Sequence, residues 1–428
     1  MIELFPVQSL DAVVRVPGSK SLTQRALIAA ALADGESTLV GPLASEDTHY
    51  TITALRQMGI AIDDSNPERW TVRGCGGAVQ TPAEDIFLGN NGTATRFLTS
   101  AAALGKGCCR ITGGERMAQR PIAPLMAALR GWQVRIDSEA GTGCPPLRID
   151  ADGLAGGPTV LPEGKSSQYL SSLLLVAPYA KQPAELIVQG EVLSKPYVEM
   201  TLAVMRDFGI HVEAAPALNQ FRIPQGCYKG IEYAVEGDAS GASYFWAAAA
   251  VTGGKVTVAN VPSPSLQGDA GLVRLLVQMG CKVSTAQGGI TVQGPEQLHA
   301  IEADMGNMPD VAPTLAVVAA FAQGTTVISN IEHLRIKECD RLAVMVTELR
   351  KLGVEAEEER DRMIIHGRGG ADLHGAEIAT YEDHRIAMCF AVAGLRVSGV
   401  KIYGEDCVAK SFPDFWQRWR KMLQQEQK

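Results

Sequence analysis

Apolar and polar positions along the chain repeat six times with a period near 72 residues. Six segments open on Gly, Ser, Asn or Asp and run directly into a stretch rich in Ala and other apolar residues. They begin near Pro17 (PGSKSLTQRALIAAALA), Leu88 (LGNNGTATRFLTSAAAL), Pro162 (PEGKSSQYLSSLLLVAP), Val235 (VEGDASGASYFWAAAA), Met308 (MPDVAPTLAVVAAFA) and Thr380 (TYEDHRIAMCFAVAG), at spacings of 71, 74, 73, 73 and 72. A fixed period of this kind marks a repeated supersecondary unit. Each opening helix is followed by a short strand-like run: STLVGPL, CRITGG, AELIVQG, KVTVANV, TTVISNI and VKIYGE. Five further segments share a phrase, TALRQMGIAID, AALRGWQVRID, AVMRDFGIHVE, RLLVQMGCKVS and TELRKLGVEAE, which reads as an amphipathic helix, a C-terminal stop and an alternating strand. A sixth helix, FWQRWRKMLQQ, has no strand after it. The N-terminal run IELFPV can supply that strand, which puts the N-terminus with the C-terminal half. Small-residue helices pack closely, so the repeat alone is satisfied by architecture. The functional question is what the helix starts hold, because convergent helix N-termini attract anions.

A chain of 428 residues exceeds one ordinary core and predicts two or three domains. The content of 46% hydrophobic and 20% charged residues is that of a globular protein. A net charge of −8 argues against general nucleic-acid binding but leaves room for a local cationic pocket. Nine cysteines without a CxxC pair or a framework spacing predict reduced thiols and a cytoplasmic setting. The first residues lack the basic-then-apolar pattern of a signal peptide, and the apolar helices carry Ser, Gln or Arg and fall short of a membrane span. Seven scattered histidines, with no HExxH, predict no metal.

The chemistry lies at the helix starts. Gly18-Ser19-Lys20-Ser21, followed by Arg25, offers free N–H groups, hydroxyls and an ammonium to a phosphate, without being a GxxxxGK[ST] loop. A capped helix with solvated charges accounts for it equally well. Gly89-Asn90-Asn91-Gly92-Thr93 lets a ligand approach the main chain, and Arg96 follows. Arg116 and Arg120 stand in GGERMAQRPI, with Arg120 held extended by Pro121. Lys165-Ser166-Ser167-Gln168 sets consecutive polar side chains before an apolar helix, more than capping requires. Ser194-Lys195-Pro196-Tyr197 reads as a capped helix start. Asp310 in NMPD fits a plain N-cap or an acid–base carboxylate. Asp383-His384-Arg385 places cationic groups where the helix dipole disfavours them, so an anion or the adjacent Asp must compensate. IEHLRIKECDR, with Arg335, Lys337, Glu338, Asp340 and Arg341, is either solvated surface or site, and Lys410 follows in CVAKSFPDF. Many cations, two acid–base candidates (Asp310 and Glu338) and no cofactor fingerprint suit a transfer between small anionic substrates by positioning, proton transfer and electrostatics.

The ordered set PGSKSLTQRAL, LGNNGTATRFL, ERMAQRPI, SSQYLSSLL, VLSKPY, EGDASGASYF, RIKECDRL, YEDHRIAM and AKSFPDF resembles the 5-enolpyruvylshikimate-3-phosphate synthase family over essentially the whole chain. The resemblance implies a two-domain α/β fold of six inverse α/β units, three per domain, with the active site in the interdomain cleft. The domains it implies are 1–17 with 237–428, and 18–236. The implied reaction moves the enolpyruvyl group of phosphoenolpyruvate to the 5-hydroxyl of shikimate 3-phosphate in the shikimate pathway, through a tetrahedral intermediate. No cofactor, nucleic acid or membrane is implied, and the chain is expected to be a monomer.

Carried over by the resemblance, Lys20, Ser21, Arg25, Ser166, Ser167, Gln168, Ser194, Tyr197, Asp310 and Lys337 contact shikimate 3-phosphate. Lys20, Asn90, Gly92, Arg120, Gln168, Arg341, Arg385 and Lys410 contact phosphoenolpyruvate. Asp310 takes the hydroxyl proton, and Glu338 and Lys20 deliver protons at the enolpyruvyl carbons. The chain departs from the family pattern at Gln24, at Phe97, at Lys165 and at His333, where some members place a substrate-contacting Asn. The sister family acting on UDP-N-acetylglucosamine carries a reactive Cys in the loop where this chain has Met117. A silent binding protein on the same scaffold would have lost Lys20, Asp310 or Glu338, and all three remain. Glyphosate, which competes with phosphoenolpyruvate in the family, is expected to inhibit. The enzyme is expected to close on shikimate 3-phosphate, as compaction in small-angle scattering.

Overall fold

A computed structural model describes residues 1–8, 10–164, 166–286 and 289–425. The chain divides into two compact units, Met1–Pro17 with Glu236–Lys428, and Gly18–Val235. Twelve α-helices run through the described residues, two per repeat. They are α1 Lys20–Leu32, α2 Glu46–Gln57, α3 Gly92–Ala102, α4 Ala123–Gly131, α5 Ser167–Val176, α6 Lys195–Asp207, α7 Ala239–Thr252, α8 Leu272–Gln278, α9 Ala312–Ala320, α10 Arg341–Lys351, α11 His384–Ala393 and α12 Phe415–Gln424.

The odd-numbered helices are the opening helices of the repeat. Nearly every residue of α1, α3, α5, α7, α9 and α11 is buried. That is why their sequences are apolar all round rather than on one stripe. Ala and Ser permit the close approach: the Ser100 and Ser172 hydroxyls of α3 and α5 lie 2.5 Å apart, and those of Ser243 and Thr314 on α7 and α9 lie 3.0 Å apart. The even-numbered helices bury one face, and all but α12 end on the shared phrase. In α2, for example, Thr48, Thr51, Ile52 and Leu55 face inward. Each unit has its own hydrophobic core.

Each repeat contributes a small sheet. The strand after the opening helix is central. In the first five repeats it pairs antiparallel with a strand of the hairpin that follows the second helix, and parallel with an edge strand. In the first repeat Glu36–Val40 pairs antiparallel with Arg69–Arg73 and parallel with Glu232–Ala234. In the fourth, Lys255–Val258 pairs antiparallel with Gly289–Gln293 and parallel with Asp11–Val14. Asp11–Val14 directly precedes α1 in sequence, yet it closes the sheet of α7. Glu232–Ala234 directly precedes α7, yet it closes the sheet of α1. The edge strands of repeats one and four are therefore exchanged, which carries the chain from one unit to the other after Pro17 and back after Val235. The sheet of the last repeat takes Ile2–Glu3 antiparallel against Lys401–Tyr403, with Glu377–Ala379 parallel on the other side. Of the run IELFPV, two residues form this strand.

Candidate active site

In the unit Gly18–Val235, three opening helices present their N-termini with different chemistry. Ser19 caps α1 by accepting from Leu22 N at 3.4 Å. Lys20, the next residue, places Nζ 3.1 Å from the carboxylate of Asp47, which is itself almost fully buried. Asp47 was not legible as a site residue, because SEDTH reads only as the start of α2. Its carbonyl is a hub, accepting from Gln24 Nε2 at 3.3 Å, Asn91 Nδ2 at 2.6 Å and Thr51 Oγ1 at 3.1 Å. Gln24 is thus a buried tie between α1 and α2.

Arg25 is 2% exposed. Its guanidinium donates to Thr201 Oγ1 at 2.7 Å, Ser21 O at 2.9 Å, Ser171 Oγ at 3.1 Å and Tyr197 O at 3.1 Å. The rings of Phe97 and Tyr197 lie 5.4 and 5.8 Å from it. Burial pulls its pKa down to about 10, against the opposing influence of Tyr197 and Tyr233. A buried guanidinium whose hydrogen-bond partners are all neutral is poised for an anion. Phe97 sits inside an unbroken α3, stacked on this cation. Ser171 and Thr201 were missed; their signal was a hydroxyl within an otherwise apolar helix face.

Asn91 caps α3, accepting from Ala94 N at 2.9 Å. Arg120 is extended at φ −91°, ψ 117°, as Pro121 requires, and is 4% exposed. It donates to both Asn90 O and Asn90 Oδ1 at 3.1 Å, so Asn90 orients Arg120. Gly92 makes this possible: a Cβ there would lie 2.3 Å from Arg120 Nη2. Arg96 is also buried, donating to Gly92 O at 3.1 Å and Pro121 O at 2.8 Å. Its pKa falls to about 10 through burial and then through the like charge of Arg120. Met117 is fully buried, its sulfur 3.7 Å from Arg96 Nη1.

Gln168 Nε2 donates to Thr93 Oγ1 at 3.2 Å, tying α5 to the α3 start. Ser166 and Ser167 are half-buried, and Ser166 makes no capping hydrogen bond. Lys165 lies outside the described residues. Ser194 was expected to cap α6. It occupies the N-cap position, but at φ 55°, ψ 43°, with no side-chain cap. A left-handed serine is a costly conformation, held where a structure demands it.

The unit Met1–Pro17 with Glu236–Lys428 carries a second cluster. Asp310 is not an N-cap. It lies in the 3₁₀ turn Pro309–Val311 ahead of α9, and neither that turn nor α9 has a side-chain cap. Its carboxylate lies between two guanidiniums, Arg341 Nη1 at 3.3 Å and Arg385 Nη2 at 2.8 Å. Arg341 also binds Glu338 at 2.7 Å and Asp383 at 2.7 Å. Burial disfavours its charge, but Asp383, Glu338 and Asp310 more than reverse this and hold its pKa well above the usual value. Asp383 caps α11 by accepting from Arg385 N at 3.0 Å. This resolves the cationic helix start, since Asp383 and Asp310 compensate Arg385. In RIKECDR, Arg335 pairs with Asp340 at 2.9 Å and Glu358 at 2.7 Å, and Asp340 caps α10. These two are structural, whereas Glu338 and Arg341 belong to the cluster. Lys337 follows the 3₁₀ turn Glu332–Ile336 and is half-buried. Lys410 ends the turn Glu405–Lys410, 8% exposed.

His333 is 8% exposed, and neither ring nitrogen has a hydrogen-bond partner among the described residues. Burial, then Lys337, push its pKa down to about 4, with Asp310 and Glu332 opposing and Arg341 adding to the lowering. It is therefore neutral at pH 7. Because its folded pKa lies below the ordinary 6.5, its contribution to stability is complete above about pH 6.5 and is lost as pH falls towards 4. The unfolding free energy of the wild type minus that of His333→Gln should drop by about 2–3 kcal/mol over that window. Denaturant titrations at several pH values measure it; a flat difference would rule out a buried neutral imidazole.

The family model for EPSP synthase (3-phosphoshikimate 1-carboxyvinyltransferase) matches residues 5–419. The 3-phosphoshikimate 1-carboxyvinyltransferase of Trichormus variabilis is 44% identical over 419 residues, covering 97% of each chain. The chloroplastic enzyme of Solanum lycopersicum is 42% identical, over 97% of this chain and 83% of its own. The structure of EPSP synthase from Acinetobacter baumannii superposes with a TM-score of 0.82 at 30% identity, covering 98% of this chain and 97% of that one. A six-repeat α/β scaffold with cationic helix starts and carboxylates paired to guanidiniums defines an enolpyruvyl-transferase class of fold. Within that class the chain belongs to the EPSP synthase family.

Proposed function

We propose that this chain transfers the enolpyruvyl group of phosphoenolpyruvate to the 5-hydroxyl of shikimate 3-phosphate, releasing phosphate, as a cytoplasmic enzyme of the shikimate pathway. Family membership supports the reaction, and nine free cysteines accord with the setting. The observation that carries the mechanism is the Asp310 carboxylate between Arg341 and Arg385, a base beside two anion-binding groups.

In the addition step Asp310 takes the hydroxyl proton as that oxygen bonds to C2 of phosphoenolpyruvate. C3 receives a proton from Lys20 or Glu338, giving the tetrahedral ketal. In the elimination step a C3 proton returns to a base, the C2–phosphate bond breaks and phosphate departs. Arg120, Arg341, Arg385 and Lys410 bind the phosphoenolpyruvate anion, with Gly92 and Asn90 supporting Arg120. Arg25, Ser21, Ser166, Ser167, Gln168, Ser194, Tyr197 and Lys337 hold shikimate 3-phosphate. Guanidinium forks suit both the carboxylate and the phosphates. A developing negative charge beside guanidiniums already held in place is stabilised without reorganisation.

The test is phosphate release from phosphoenolpyruvate with each acceptor. Release with shikimate 3-phosphate and none with UDP-N-acetylglucosamine is expected. The opposite preference would move the chain to the sister reaction, and no release with either would leave a binding protein.

A further inference from the structure

Asp310 presents an electrostatic difficulty. Two guanidiniums at 3.3 and 2.8 Å stabilise its ionised form and so weaken it as a base. A second buried carboxyl lies nearby. Asp269 is 3% exposed, in the 3₁₀ turn Gly268–Gly271, which packs against Pro309–Val311. Its position is fixed on both sides. Ser240, in the first turn of α7, donates its hydroxyl to Asp269 Oδ2. The neighbouring Gln267 accepts from Ala239 N at 2.9 Å and donates to Gly237 O at 2.8 Å. The charged groups acting on Asp269 include Asp310, Arg385 and Asp238, while Arg274 on α8 is exposed. Burial, then the charge of Asp310, raise its pKa to about 7, with Arg385 and the Ser240 hydrogen bond opposing and Asp238 adding to the rise.

We propose that Asp269 is a positioning residue for the reaction: the second carboxyl of a like-charged pair, which keeps Asp310 basic despite Arg341 and Arg385. The inference rests on Asp310 being the base. Above about pH 7, where Asp269 is ionised as well, repulsion makes Asp310 readier to take the hydroxyl proton. Once Asp310 is neutral, Asp269 ionises more easily, so the pair titrates as a unit. Arg385, drawn by both charges, stays oriented for its anion.

Asp269→Asn keeps an oxygen for the Ser240 hydroxyl and removes the charge. The acid limb of the kcat–pH profile should move down by about one pH unit, the scale on which coupled carboxyls interact. Plateau turnover should fall roughly three- to tenfold as the base weakens, with KM values changing by less than about threefold. A purely structural role would lower the melting temperature and leave the limb in place, and that result overturns the proposal. Should Asp269→Asn fail to fold, Ser240→Ala removes only the hydroxyl that stabilises ionised Asp269. The limb should then move the same way by a smaller step, and an unmoved limb overturns the proposal. Asp310→Asn in the same assay separates the two levels. Near-normal turnover there overturns both the base assignment and this inference. Loss of turnover there, with an unshifted limb in Asp269→Asn, overturns this inference alone.

Discussion

Asp310→Asn should lower turnover by about 10²–10⁴-fold, the usual contribution of a general base, while affinity for shikimate 3-phosphate changes little. The amide preserves shape and can still hydrogen-bond the hydroxyl, but it cannot take the proton. Had Asp310 been the N-cap of α9, Asn would cap nearly as well and little would change. That alternative is excluded by geometry, because Met308 and Val311 hold the N-cap positions while the Asp310 carboxylate reaches Arg341 and Arg385. Losing a negative charge there also leaves two guanidiniums less compensated, which favours anions. The KM for phosphoenolpyruvate should therefore stay level or fall while kcat collapses. Steady-state kinetics on the folded variant test the split. A variant near wild-type turnover would move the base role to Glu338, another carboxylate on Arg341.

Gly92→Ala should raise the KM for phosphoenolpyruvate by about 10–100-fold and weaken glyphosate in parallel, with shikimate 3-phosphate affinity nearly unchanged. The added methyl would lie 2.3 Å from Nη2 and 2.7 Å from Cζ of Arg120. The obstructed atoms are the far end of a flexible side chain, so the fold survives and the guanidinium moves. Its two hydrogen bonds to Asn90 cannot both follow it. A charge-assisted hydrogen bond is worth about 1.5–3 kcal/mol, which sets the expected range. Gly92 is the first residue of α3, and alanine suits a helix, so the melting temperature should hold. Inhibition and KM both unchanged would show that Arg120 does not contact phosphoenolpyruvate.

The repeat itself was readable because helix and strand periodicities are local. The opening helices begin at Lys20, Gly92, Ser167, Ala239, Ala312 and His384, three to five residues after the segment starts marked by Gly, Ser, Asn and Asp. Most of the candidate site was readable for a related reason. Its groups stand at helix starts, where a polar residue before an apolar run stands out, and the quoted motifs carry the family pattern.

What the chain alone left open was the choice of partner. Asp310 and Ser194 both had the residue type and spacing of caps, and both do something else. Cap geometry is a property of one turn, whereas Asp310 answers to Arg341 and Arg385, each more than 30 positions away. Asp47, Ser171, Thr201 and Asp269 carried too weak a local signal to be chosen, because a buried polar group declares its purpose only through the group it meets. The same limit holds for the sheets. Asp11–Val14 and Glu232–Ala234, which the sequence did not single out, bury alternate residues, but a period-two pattern is equally satisfied by either central strand. The tertiary structure decided that each closes the sheet of the other's repeat, because strand pairing is settled by which backbone edges burial brings together.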